Sequence, residues 1–303
     1  MSAQIWPPIS QDELNEKVEE TLTAELTWLL SIVQETLPSL KAGLQECLSL
    51  LSLDNPASTL PLTSHRSESV KGIVTRVGTR ITKGDIALRL PTLPPPRGSP
   101  SFPLHISYPL VLPQLAHLLA LLNTTLDIID IALYTGDPNN GPFVSSQLKL
   151  LSDTIDEARQ ALKGGEDIPG CQWNAVDPSA SEIQETFGPD LPPTLAPHLS
   201  ISDSSLALTI RTLVPAGSGQ DALSLTGLSL RTRLGLAQRP QVHDELDQVF
   251  EWRGEKVNVK EKVKVESQDP SLMAVGAKLS ALGHSVKSWR LKVAVVMGED
   301  VDL

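Results

Sequence analysis

The chain has 303 residues, 40% of them hydrophobic and only 4% aromatic, with a formal net charge of −11. That charge excludes nucleic acid as the main partner, since phosphate binding needs a surplus of Lys and Arg, and it disfavours broad adhesion to anionic membrane. Two cysteines, Cys47 and Cys171, are too few for a secreted disulfide scaffold, and the first ten residues show no basic stretch followed by an apolar run. The expectation is a reducing, cytoplasmic setting, in which the sequon at Asn123-Thr124-Thr125 is silent.

The first element predicted is a helix over residues 10–53. Ser10 and Glu13 suit a capping box. Leu14, Val18, Leu22, Leu26, Leu29, Val33, Leu37, Leu40, Leu44, Leu48 and Leu51 recur at steps of three and four. The mean spacing is close to 3.6, which suits a helix of a globular bundle better than a long parallel zipper. Pro38 should kink or split this helix near Thr36. Cys47, beside Leu44 and Leu48, reads as a small apolar packing residue.

Residues 57–68 read as a polar linker. A β-hairpin is expected over residues 69–92: Val70 to Val77 is β-branched, and Ile86, Leu88 and Leu90 alternate with Ala87 and Arg89. Gly78 or Lys83-Gly84 would make the turn. Pro94, Pro95, Pro96 and Pro100 mark an extended link.

Helices follow over residues 108–135 and 143–163, with Gly164-Gly165 as a C-cap. The first of these, with its long Leu-rich run over residues 110–133, could be mistaken for a membrane span. It contains Asp127 and Asp130, each costing about 2.5–3.5 kcal/mol at mid-bilayer, so a buried helix is the preferred reading. His117 reads as a packed or surface residue rather than a metal ligand. Asp153, Asp156 and Glu157 read as a solvated face.

From residue 168 the pattern turns irregular and Pro-rich, with a short helix expected over residues 179–187. Leu206, Leu208, Ile210 and Thr212 alternate as a strand. Gly217-Ser218-Gly219-Gln220-Asp221-Ala222 fits a dinucleotide-binding pattern formally. It lacks the feeding strand and following helix that would bring a helix N-terminus to a pyrophosphate, and reads as a loop. Over residues 256–265, Val257, Val259, Val263 and Val265 are expected on one face and Lys256, Lys260, Lys262 and Lys264 on the other. That lysine row is the candidate partner-docking site, weighed against a wet strand face or lysine edge protection. Asp269-Pro270 supplies an N-cap and first-turn proline for a last helix reaching residue 296.

The expected fold is α+β. Residues 10–53, 105–165 and 270–297 form an antiparallel four-helix bundle from the two ends and middle of the chain. Residues 69–92 and 168–268 form a separate antiparallel β-domain with Pro-rich loops.

Glu25-Leu26-Thr27-Trp28-Leu29-Leu30, Ser69-Val70-Lys71-Gly72-Ile73-Val74, Ala87-Leu88-Arg89-Leu90-Pro91, Phe187-Gly188-Pro189-Asp190-Leu191-Pro192, Val249-Phe250-Glu251-Trp252 and Val263-Lys264-Val265-Glu266 together resemble, in order, the Rogdi leucine-zipper family. The match weakens over residues 220–248. The resemblance implies the second subunit of the fungal RAVE complex: a non-catalytic, cytoplasmic adaptor without cofactor, peripherally recruited to the vacuolar or endosomal membrane. Its implied partners are a large propeller-containing subunit, a Skp-type adaptor and soluble-sector subunits of the V-ATPase, whose reassembly it promotes. The rivals are an enzyme using the Gly217 loop and a peripheral membrane protein or unrelated scaffold using the lysine row.

Overall fold

A computed structural model of the chain describes residues 10–164, 168, 171–174, 186–216, 243–246 and 248–299. Among these residues four helices run over Gln11–Leu50 (α1), Pro113–Tyr134 (α2), Gly141–Lys163 (α3) and Pro270–Met297 (α4). Ten strands run over Ser58–Thr63 (β1), Val70–Val77 (β2), Arg80–Leu88 (β3), Phe102–Ile106 (β4), Leu110–Val111 (β5), Phe187–Gly188 (β6), Leu195–Ser202 (β7), Ser205–Pro215 (β8), Val249–Trp252 (β9) and Glu255–Gln268 (β10). They form two antiparallel sheets, one in the order β1-β2-β3-β4-β6 with β5 beside β3, the other β7-β8-β10-β9.

The chain divides into two compact units. The first comprises Met1–Cys47, Leu121–Ala158 and Ala277–Leu303; its described part is helical. Its core takes Leu29, Val33, Leu37, Leu40 and Leu44 from α1, Leu122 and Ile129 from α2, Leu148, Leu151 and Ile155 from α3, and Val286 and Val293 from α4. A leucine buried this way stabilises by about 1.5–3 kcal/mol. Salt bridges join α1 to α2 (Lys41–Asp130), α1 to α4 (Glu46–Lys278) and α3 to α4 (Asp156–Lys287, 2.7 Å). Gly43 admits Leu282: a Cβ at that position would lie 3.0 Å from its Cδ2.

The expectation of an antiparallel four-helix bundle beside a separate β-domain is overturned, although the α+β class holds. The stripe of α1 is buried only from Leu29 onward; Leu14, Val18 and Leu22 are 45%, 49% and 42% exposed. Residues 11–25 of that long helix are exposed throughout among the described residues. The first turns of α2 and α4 and the last of α3 belong to the second unit. That unit carries two antiparallel sheets where a single β-domain was expected from residues 69–92 and 168–268.

Two strands were missed because proline sits in them. β1 contains Pro61 and lies in the segment taken for a linker; it tolerates Pro61 as the outermost strand of its sheet. β4 contains Pro103 and lies just ahead of the helix expected from residue 108; β5 occupies the start of that segment, so α2 begins only at Pro113. Pro38 does not split α1, which runs on as one helix.

The second unit, Leu48–Ala120 and Arg159–Gly276, holds both sheets. The β2–β3 turn is at Gly78, whose φ of +57° needs the freedom of glycine. Asp269, with no exposed surface, caps α4: its Oδ1 accepts from the N–H of Ser271 (3.0 Å) and Leu272 (3.3 Å). The same carboxylate accepts from Arg76 Nε (2.5 Å) and Nη2 (3.1 Å), while Arg76 Nη1 donates to the carbonyl of Gly78. Thr92 donates through N (3.3 Å) and Oγ1 (2.5 Å) to Glu261 of β10. α2 is long and apolar enough to cross a membrane by length and composition, yet Leu115, Leu118, Leu122, Thr125 and Ile129 along it are fully buried in the protein.

Candidate functional site

The second sheet decides where the predicted lysines point. Directly paired residues in an antiparallel sheet share a face. Val257 pairs with Pro215 and Val259 with Leu213, but Glu261 pairs with Thr212 and Lys262 with Arg211. Lys260 is thus the extra residue of a β-bulge, which reverses the alternation beyond it. The expected uniform lysine row does not form. Lys262 and Lys264 share a face with Val257 and Val259; Val263 and Val265 lie on the opposite face. Lys256 and Lys260 are exposed.

The face carrying Lys262 and Lys264 takes Arg211 and Thr209 from β8 and His198 and Ala196 from β7. One part is apolar: Trp173 packs with Ala196, Leu213, Trp252, Val257 and Val259. The rings of Trp173 and Phe250 meet edge-on with centroids 4.9 Å apart. The other part is a cleft of about 220 Å³ lined by Lys163, Cys171, His198, Arg211, Lys262 and Lys264, among others.

The charges in this cleft are tightly organised. Arg211 is 5% exposed and donates from Nε and Nη2 to the two oxygens of Glu245, each at 2.8 Å. This is the planar, two-pronged geometry in which guanidinium outperforms ammonium. The guanidinium also stacks over Trp173, 4.6 Å from its centroid. Lys262 Nζ donates to Glu245 (2.6 Å) and Asp244 (2.8 Å). Burial pushes the Glu245 carboxyl up, but Arg211 and Lys262 outweigh it and hold the pKa below the ordinary 4.5. The Lys262 hydrogen bond likewise lowers that of Asp244. Lys264 meets Glu266 at 2.6 Å and Ser202 Oγ at 3.4 Å.

Arg211 Nη1 is buried and has no hydrogen-bond partner among the described residues. An unsatisfied buried donor costs about 1–3 kcal/mol, more when charged. His198 is held neutral beside it: burial first, then the Arg211 charge, push its pKa down to about 4. Cys171 is buried, and burial raises its thiol pKa. Cys47 in the helical core is raised to about 11, as befits a packing residue. Neither thiol is in the lowered-pKa state that makes a nucleophile. Among the described residues no group of three or more His, Cys, Asp or Glu could hold a metal ion.

His117 is half-buried on α2, away from the cleft lining, and Asp156 is paired with Lys287. The Gly217–Ala222 pattern and nearly all of the expected helix at 179–187 lie outside the described residues. Sequence reasoning found Lys262 and Lys264 but missed Arg211, His198, Glu245 and Trp173. One signal was available: Arg211 interrupts a strand of otherwise uncharged residues, and a charge in a strand buried on both faces demands a partner.

The chain is 26% identical over 300 residues, 89% of its own length and 93% of the relative's, to the Schizosaccharomyces pombe protein named Regulator of V-ATPase in vacuolar membrane protein 2. The family model described as Rogdi leucine zipper containing protein matches residues 25–294, which include both sheets, the cleft and most of the helical unit. By that match over most of its length, the chain belongs to the Rogdi leucine-zipper family.

Proposed function

We propose that the chain is a regulatory subunit for the V-ATPase. It acts by holding other proteins together rather than by chemistry, as a non-catalytic adaptor of a RAVE-like complex that promotes assembly of the pump. The observation that carries this reading is the nearly end-to-end similarity to a protein named as a V-ATPase regulator, 89% of one chain against 93% of the other. The non-catalytic part draws support from the site chemistry: the two thiols are raised in pKa, and His198 is held neutral beside a paired arginine. The implied partners are a large propeller-containing subunit, a Skp-type adaptor and soluble-sector subunits of the V-ATPase. The chain works at the cytoplasmic face of the vacuolar membrane, recruited peripherally; of this, the relative's name supports the vacuolar membrane.

Affinity purification of the tagged full-length chain from its own cells tests this. Recovery of V-ATPase soluble-sector subunits with a propeller-containing partner is expected. Their absence under gentle lysis, with the bait intact, overturns the proposal.

A further inference from the structure

We propose that the cleft over β7, β8 and β10 is an oxyanion-binding site that takes a phosphoryl or carboxylate group, with Arg211 Nη1 as its central donor. The inference stands on this unit alone and does not depend on the V-ATPase reading.

Three observations converge. The first is the unpartnered donor: Glu245 holds Nε and Nη2 of Arg211, and the stacking on Trp173 fixes the guanidinium plane. The third nitrogen is left, buried, in a residue that lines the cleft. A fixed fork with two unused N–H bonds suits an oxygen anion, and its entropy of ordering is already spent. The second is the sign of the lining. Among the described residues, every charged side chain lining the cleft is cationic: Lys163, Arg211, Lys262 and Lys264. The acids paired to them, Asp244, Glu245 and Glu266, lie outside the lining and, counted over the described residues, leave one positive charge in surplus. The third is size: about 220 Å³ admits a phosphoryl or carboxylate group with part of its carrier, but not a whole dinucleotide. Ser200 and Ser202 hydroxyls on the cleft wall can supply further donors. His198, neutral beside Arg211, becomes a reporter: an anion in the cleft offsets the Arg211 charge and raises its pKa.

The test uses the full-length chain at pH 7. Its melting temperature is followed while sodium phosphate, or sodium acetate, replaces sodium chloride at constant ionic strength. Expected is a saturable rise with at least one of the two oxyanions, accompanied by an upward shift of the His198 ring titration in NMR. Lys264→Glu, a change at an exposed position, should weaken that binding at least tenfold while the protein stays folded. Arg211→Met should abolish it. A phosphoserine decapeptide binding more tightly than inorganic phosphate would make the anion peptide-borne; equal affinity would assign a free anion, and either outcome supports the site. The proposal is overturned if neither oxyanion differs from chloride, or if the saturable rise survives both substitutions unchanged.

Discussion

Among the described residues of the sheet-bearing unit two arginines are buried, and they end differently. Arg76, 2% exposed, has all three guanidinium nitrogens bonded: two to Asp269 and one to the carbonyl of Gly78. Arg211, 5% exposed, has two nitrogens on Glu245 and the third without a partner among the described residues. Both make the same two-pronged pair with a carboxylate. The first is closed: its carboxylate is also the cap of α4, so the pair ties strand β2 to the start of a helix. The second opens on a cleft and shares its carboxylate with Lys262. A fully satisfied buried pair holds a fold in one arrangement, whereas a pair with a donor to spare keeps a place for something else.

The comparison is broken most severely at Arg76. Arg76→Met leaves Asp269 buried without its cation, and the loss should be about 3–5 kcal/mol by urea denaturation. A loss under 1 kcal/mol would mean the pair is not the closed element described. Next comes pH. The folded pKa of His198, about 4, lies below its ordinary 6.5, so the unfolded chain takes up the proton first. Its contribution is complete above pH 6.5 and is lost as pH falls toward 4, about 2 kcal/mol of it by pH 5. His198→Gln should flatten that interval. Glu245, lowered from 4.5, adds its own loss only below that value. Arg211→Met should cost less than Arg76→Met, about 1 kcal/mol, because Glu245 keeps Lys262 at 2.6 Å. It should also move the His198 transition to higher pH by removing the charge beside it. The smallest effect is at the rim: Lys264→Gln should change stability by no more than about 0.5 kcal/mol.

What the sequence shows of these two sites differs in the same way. Asp269-Pro270 was legible as a helix start because an N-cap and a first-turn proline are local signals, and the structure confirms the cap through Ser271 and Leu272. That Asp269 also meets Arg76, 193 residues away, has no local trace. The helices α3 and α4 and the β2–β3 hairpin were legible from periodicity. β1 was not, since Pro61 removes a donor that only an outermost strand can spare. The lysine row failed for a subtler reason. Alternation along β10 is regular in sequence, but sheet faces covered on both sides give valine and lysine no unique inside, so the bulge at Lys260 leaves no mark. The heptad-like spacing of α1 likewise continues through Leu14, Val18 and Leu22, where the structure leaves those side chains exposed. Periodicity reports that a helix has an apolar stripe, not that the chain itself covers it.

The regulatory reading is tested most directly by the fraction of V-ATPase soluble-sector subunits that sediments with vacuolar membranes in cells deleted for this chain. The account predicts a fall on deletion, with recovery when the wild-type chain is restored. An unchanged membrane-bound fraction after deletion would contradict it.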